Sequence, residues 1–201
     1  MDVSNFIKLA LVLLLAAVVS GCSETHRLYG NLSVEDADRF DEFDLYWLGE
    51  KYEGERLDSL YRSEPYQRPR NDVTLRYGPL KCDIDSNCVS VLEIVTRPYC
   101  DMSPEAVSAR VQEEGGLRWF THYQWTTFDP GYREIETRGV KAWLFGADTD
   151  GVLYVWTGRS ALVLSGDGGF SLKKAANNLR SMREGYASDD PPPLPPVSVM
   201  C

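Results

Sequence analysis

The sequence predicts an α+β fold in which an antiparallel sheet of about six or seven strands carries two helices packed on it. Short apolar or alternating runs recur along the middle of the chain, and turn residues separate them at close intervals. Two other segments have helix-start residues and apolar side chains at helical spacing instead. Groups of strands joined by short turns, with helices between the groups, favour an antiparallel sheet.

Four runs in the first half predict strands: residues 44–48, 57–62, 73–77 and 89–97. Residues 73–77 alternate between apolar and polar, which is typical of a strand with one buried face. Residues 89–97 are largely apolar at successive positions, as expected of a central strand. The second half contains a predicted meander.

The meander comprises residues 141–147, 152–157 and 160–165, with turns at 148–151 and 158–159. The first turn is Asp-Thr-Asp-Gly and the second begins with Gly158, which is turn chemistry typical of tight hairpins. In these strands aromatic and aliphatic residues alternate, so both faces are apolar. One face can take the helices, and we expect loops, a ligand or a partner to cover the other. The aromatic-rich segment 117–132 is the expected internal cover.

Two helices are predicted. The first begins with Ser103 as N-cap and Pro104 in the first turn, and it ends before Gly115. The second runs from near Ser171 to about Arg183. Its apolar stripe, which should lie across the sheet, consists of Leu172, Ala176, Leu179 and Met182.

The first residues form a predicted secretory signal. Residues 9–19 are an unbroken apolar run, which is shorter than the ~20 residues that a membrane-spanning helix needs. Residues 19–22, Val-Ser-Gly-Cys, resemble the lipobox of bacterial lipoproteins. We therefore expect cleavage after residue 21 and lipid attachment, including fatty acids such as palmitate, at Cys22. The mature chain is expected outside the cytoplasm, held to the membrane by this lipid.

The predicted organisation is a signal peptide (1–21), an acidic tether (22–42), a single domain (43–184) and a Pro-rich tail (185–201). The tail favours polyproline II and is expected to be a spacer outside the core. The formal net charge of −9 argues against nucleic acid as a partner.

Four cysteines remain after Cys22: Cys82, Cys88, Cys100 and Cys201. In an exported protein an even number suggests disulfides. A hairpin across residues 83–87 would bring Cys82 and Cys88 together, so this pairing is the first choice. Cys82 with Cys100 stays open as an alternative, and the sequence does not identify a partner for Cys201.

Candidate ligand-facing residues lie in the aromatic segment: Trp119, His122, Tyr123 and Trp125. They fit stacking on a small apolar ligand, but core packing is the more common role of such residues. The alternative to a binding role is an envelope hydrolase that uses His122 and a carboxylate. No other motif predicts a catalytic residue, a metal site or a cofactor; the calcium-like start at Asp83 lacks the required Gly and Glu.

Residues 46–50, Tyr-Trp-Leu-Gly-Glu, together with Cys82, Cys88 and Cys100, resemble a group of small uncharacterised lipoproteins of the actinobacterial type. The stretch 139–182 is similar to the same group. The resemblance implies placement at the envelope and a hairpin-rich fold, and it implies no activity. We therefore expect a non-catalytic binding or envelope-accessory module whose partner is the membrane, an envelope protein or a small apolar ligand.

Overall fold

A computed structural model describes residues 31–62, 72–79, 81–82, 88–114, 117–121, 124–128, 131–166, 169–184 and 191–201. The predicted signal peptide and Cys22 lie outside these residues. In the described part of the chain, no helix is long and apolar enough to cross a bilayer.

The strands, in chain order, are β1 Tyr46–Trp47, β2 Lys51–Tyr52, β3 Glu55–Arg62, β4 Val73–Tyr77, β5 Lys81–Cys82, β6 Cys88–Val89, β7 Leu92–Pro98, β8 Leu117–Thr121, β9 Gln124–Phe128, β10 Tyr132–Thr137, β11 Val140–Phe145, β12 Val152–Thr157, β13 Ser160–Gly166 and β14 Arg180–Ser181. The α-helices are α1 Val34–Asp38, α2 Pro104–Glu114 and α3 Leu172–Asn177, and 3₁₀ turns span Tyr99–Met102 and Met182–Glu184.

Eight strands form the main sheet in the order β10-β11-β12-β13-β7-β4-β3-β2, and every neighbouring pair is antiparallel. Three two-stranded pairings accompany it: β1 with β14, β5 with β6, and β8 with β9. The predicted α+β class with an antiparallel sheet is confirmed. The main sheet has eight strands where six or seven were expected, because β10 and the short β2 extend its two edges. The predicted strand at 44–48 instead gives the short β1, which pairs with β14 outside the main sheet.

One face of the sheet, the core face, is aliphatic. It is formed by alternate residues of the central strands, including Leu75, Ile94, Leu144, Leu153 and Leu162, all at most 1% exposed. Helix α3 packs on this face through its apolar stripe, as the sequence predicts. Burial of each large side chain contributes about 1.5–3 kcal/mol, so this layer supplies much of the stability of the domain.

The opposite face, the aromatic face, is formed by Trp143, Phe145, Tyr154 and Trp156 with Val163. Helix α2 packs here through Val107 and Val111, and Met102 of the preceding 3₁₀ turn joins it. The two helices therefore lie on opposite faces, whereas the sequence predicted both helices on one face and loops, a ligand or a partner on the other.

The acidic tether is shorter than predicted, because the domain begins before residue 43. Ser33 and Asp36 form a capping box in which Asp36 N donates to Ser33 Oγ at 3.0 Å and Ser33 N donates to Asp36 Oδ2 at 3.1 Å. This box starts α1, and Ala37 of α1 is 1% exposed. In this helix the acidic residues cap the N-terminus or face solvent, and the small side chain of Ala37 enters the core.

The second predicted helix is also shorter. Ser171 caps α3 as expected, since its Oγ accepts from Lys174 N at 3.1 Å. The helix ends at Asn177 and not near Arg183, because the chain turns to pair β14 with β1. Leu179 and Met182 are buried, as the predicted apolar stripe requires. The prediction that they belong to the helix is wrong.

The prediction that the Pro-rich tail stays outside the core is wrong. Leu194 is 4% exposed and belongs to the cluster on the core face. Its N donates to Arg138 O at 3.1 Å, and Pro195 O accepts from Gly158 N at 3.1 Å. Proline lacks an N–H but keeps its carbonyl, so a proline-rich segment can dock by accepting hydrogen bonds while one apolar side chain inserts.

Candidate functional site

The aromatic face continues into a cluster of buried charged groups on the neighbouring strands. Arg76 of β4 lies directly opposite Glu93 of β7, and its Nε donates to Glu93 Oε2 at 2.8 Å. The two side chains are 8% and 9% exposed. Opposite residues of an antiparallel pair lie on one face, so the register of β4 and β7 creates this ion pair.

Tyr61 of β3 completes the cluster. The Arg76 guanidinium lies over the Tyr61 ring, 4.8 Å from its centroid, and Nη2 donates to the Tyr61 hydroxyl. Burial, together with the charge of Glu93, raises the pKa of Tyr61 to about 12, although Arg76 acts in the opposite direction. The phenol therefore stays neutral at physiological pH.

A second buried ion pair lies nearby. Arg97 Nη2 donates to Asp72 Oδ2 at 3.0 Å, with side-chain exposures of 12% and 5%. Arg97 Nη1 also lies 3.5 Å from Met102 Sδ, next to α2. A buried charge is costly unless an opposite charge lies beside it, and each of these two cations has an anion as its partner. Both ion pairs also connect neighbouring parts of the fold.

The aromatic side chains form a continuous set of ring contacts. Trp143 and Trp156 meet edge to face with centroids 4.9 Å apart, and Tyr154 stacks on Trp156 at 6.0 Å. Trp156 Nε1 donates to Met102 O at 2.7 Å, which fixes the 3₁₀ turn over the sheet. Burial raises the pKa of Tyr154. These rings form a packed layer, and α2 covers it.

Tyr132 marks where this layer reaches solvent. Its ring stacks on Trp143 with centroids 4.1 Å apart, and the residue is 40% exposed. It is the last residue of the segment 117–132, the predicted internal cover of this face. This one residue does contact the aromatic face, and the side chains of 117–130 lie outside the described set.

The predicted ligand-facing residues fall partly outside the described residues. Trp119 lies in β8 opposite Thr126, and Trp125 lies in β9 opposite Phe120. His122 and Tyr123, between these strands, are not among the described residues. The ligand site at the four residues and the hydrolase alternative at His122 therefore stay predictions.

Two of the cysteine predictions can be compared with the structure. Cys82 and Cys88 are directly opposite each other in the β5–β6 pairing. Cys100 is bonded to Cys201, which excludes the alternative pairing of Cys82 with Cys100. The sequence did not predict the Cys100–Cys201 bond. Elimination could have found it, because four cysteines follow Cys22 and the favoured Cys82–Cys88 pair leaves only Cys100 and Cys201.

Within the described ranges, no group of three His, Cys, Asp or Glu side chains is close enough to hold a metal ion. Comparison with protein-family models, with curated proteins and with solved structures gives no match to this chain. The resemblance to small lipoproteins at residues 46–50 and the cysteines thus stays a prediction.

Proposed function

We propose that this chain is an exported lipoprotein, anchored through a lipid on Cys22, whose domain serves as a non-catalytic binding or envelope-accessory module. The observation that carries the proposal is the disulfide between Cys100 and Cys201. Disulfides persist in oxidising compartments and are rare in the cytosol. The apolar run and the Val-Ser-Gly-Cys motif at residues 9–22 supply an independent argument for export.

The early start of the domain supports a role close to the membrane. Asn31 is already tied to β3, because its side chain donates to Arg62 O at 3.0 Å and accepts from Arg62 N at 2.8 Å. At most ~3.6 Å per residue, the nine steps from Cys22 to Asn31 span no more than about 32 Å. A lipid on Cys22 would therefore hold the domain beside the bilayer surface, within reach of membrane-bound partners.

The buried charged groups support a binding module in preference to an enzyme. Arg76 is engaged by Glu93 and Tyr61, and Arg97 is engaged by Asp72. These side chains join strands to one another and to α2, which is a structural use of charge. In a domain of this kind the buried charges hold a rigid scaffold, and residues on its surface recognise the partner.

Metabolic labelling with a fatty-acid analogue tests the anchor. We expect the wild-type chain to incorporate the label and to fractionate with membranes, and Cys22→Ala to lose both properties. Ser23→Ala is the matched control and should retain them. An unlabelled wild-type chain, or a label that survives in Cys22→Ala, would refute the proposed lipoprotein.

A further inference from the structure

The outer strand β10 forms an open edge of the main sheet. It pairs with β11 on one side, and no described strand pairs with its other side. Residues 132–134 and Glu136 are exposed, and Ile135 is partly exposed. An open edge six residues long offers backbone donors and acceptors to an added strand, whereas β2, at the opposite edge, spans two residues.

The hairpin between β10 and β11 determines which backbone groups point outward. Its loop is Arg138-Gly139, both with positive φ (47° and 84°), as in a two-residue type I′ turn. Such a loop is closed by a hydrogen-bonded pair, here Thr137 and Val140. Hydrogen-bonded and non-bonded pairs alternate, so Glu136, Glu134 and Tyr132 direct their N–H and C=O groups away from β11.

The same three residues carry the side chains that an added strand would meet on the aromatic face. Glu134 lies opposite Trp143, and Tyr132 stacks on that Trp143 ring. Neither Glu134 nor Glu136 forms an ion pair with another described residue. The open edge therefore presents one aromatic ring and two carboxylates at a period of two.

A second copy of this chain does not fit the edge. Two-fold symmetric antiparallel pairing of β10 with itself can be centred on Arg133, Glu134, Ile135 or Glu136 if three or more residues pair. Each of these registers places like charges directly opposite: Arg133 on Arg133, Glu134 on Glu134, Glu134 on Glu136, or Glu136 on Glu136. Directly opposed like charges destabilise a sheet, so the partner must carry the opposite charge.

We propose that β10 binds an extended protein segment as an added antiparallel strand, with basic side chains at every second residue opposite Glu134 and Glu136 and an apolar residue near Tyr132. Backbone hydrogen bonds from the three outward residues supply affinity, and the alternating charges set the register. This inference rests on the proposed binding module and names its partner class. The net charge of −9 adds attraction for a basic segment.

Three synthetic peptides with capped ends test the pairing. The first has the pattern Lys-Val-Lys-Val-Tyr, which places both lysines on one face of a strand. The second, Lys-Lys-Val-Val-Tyr, has the same charge without the alternation. The third, Glu-Val-Glu-Val-Tyr, reverses the charge. We expect the mature wild-type chain to bind the first at least about tenfold more tightly than the other two, and amide exchange to slow at residues 132, 134 and 136.

Two variants of the open edge separate charge from backbone pairing. E134K/E136K should weaken binding of the first peptide at least about tenfold and should strengthen binding of the glutamate peptide. Glu134→Pro removes an outward N–H, a position where a sheet edge tolerates proline, and should also weaken binding at least tenfold. Asp38→Lys/Glu50→Lys makes the same change of net charge at exposed sites away from β10 and should bind nearly as wild type.

Equal binding of the alternating and clustered lysine peptides would show non-specific attraction to an acidic protein and would overturn the proposal. Unchanged binding in E134K/E136K would also overturn it, and so would the absence of binding, which would mean that the charges only protect the edge. If Glu134→Pro lowers the melting temperature, the charge-reversed variant still decides the outcome. None of these results affects fatty-acid labelling at Cys22, so failure of this inference is distinguishable from failure of the proposed function.

Discussion

Cys100 and Cys201 are bonded to each other across a sequence separation of 101 residues, with their Cα atoms 5.4 Å apart. The bond ties the last residue of the chain to the 3₁₀ turn that precedes α2. On the way, the tail crosses the two hairpin loops at Arg138 and Gly158. The described part of the proline-rich tail, residues 191–201, is thereby held at Leu194, Pro195 and Ser198 and by the disulfide at Cys201.

Removal of this bond should destabilise the domain. A disulfide that closes a loop of about 100 residues restricts the unfolded chain strongly, so we expect Cys100→Ser/Cys201→Ser to lose about 2–5 kcal/mol. Denaturant unfolding of the variant measures the loss. Reductant should destabilise the variant less than wild type, because only the predicted Cys82–Cys88 pair is left to reduce. Equal stability of oxidised wild type and variant would contradict a structural role for the Cys100–Cys201 bond.

The tail also stabilises the domain through packing against the core. Leu194→Ala removes a side chain that is 4% exposed within the core cluster and should cost about 2–3 kcal/mol. Met200→Ala is the control, because Met200 is 99% exposed and its replacement should change stability by less than about 0.5 kcal/mol. Equal melting temperatures for both variants would show that the tail does not stabilise the domain in solution.

The sequence predicted the elements whose pattern is local. Strand β4, the turns of the meander and the cap at Ser103 each depend on a few adjacent residues. The alternation in β4 predicted one buried face, however, and all five of its residues are buried because the sheet is covered on both sides. Ser103 Oγ accepts from Ala106 N at 3.3 Å, as its position before Pro104 implies. Periodicity and turn chemistry are sufficient for such elements.

The errors concern contacts between distant residues. One leucine among prolines carries no periodicity, so the burial of Leu194 depends on a groove that the sequence does not reveal. The same holds for Ala37 among acidic residues. Arg76 and Glu93 are both visible in the sequence, but the register that sets them opposite each other is a property of the assembled sheet.

The buried pair of Arg76 and Glu93 should be sensitive to loss of one partner. Glu93→Gln leaves the guanidinium buried without its counter-charge and should cost about 3 kcal/mol. Arg76→Met/Glu93→Leu removes both charges and should restore most of that loss. Glu42→Gln is the matched control in the exposed pair with Arg62, where we expect less than about 1 kcal/mol. A double variant as unstable as Glu93→Gln would contradict this account.

Tyr61 should make the domain sensitive to alkali. Its pKa is raised to about 12 in the fold, above the value of 10.0 in an unfolded chain. The neutral phenol therefore supports the fold fully below pH ~10, and that contribution is lost as the pH rises from ~10 to ~12, because only the unfolded state releases the proton there. Tyr61→Phe should lose less stability across this range than wild type. Parallel curves for the two proteins in alkaline unfolding experiments would exclude Tyr61 as a cause.

Gly158 lies where the tail, Asp44 and the β12–β13 turn meet, and its replacement should be more costly than a typical glycine substitution. Its φ is +54°, and a Cβ would lie 2.5 Å from Asp44 Oδ2. That carboxylate accepts from Arg159 N at 3.0 Å, so a shift of Asp44 would break a contact that holds the turn. A left-handed backbone costs an alanine about 1–2 kcal/mol, and crowding adds about 1–3 kcal/mol. We therefore expect a loss of about 3 kcal/mol for Gly158→Ala.

Gly54→Ala provides the control, since φ is +97° there and a Cβ would meet nothing within 4 Å. A loss in Gly158→Ala no larger than the about 1–2 kcal/mol that the left-handed backbone costs would mean that the contact with Asp44 does not matter.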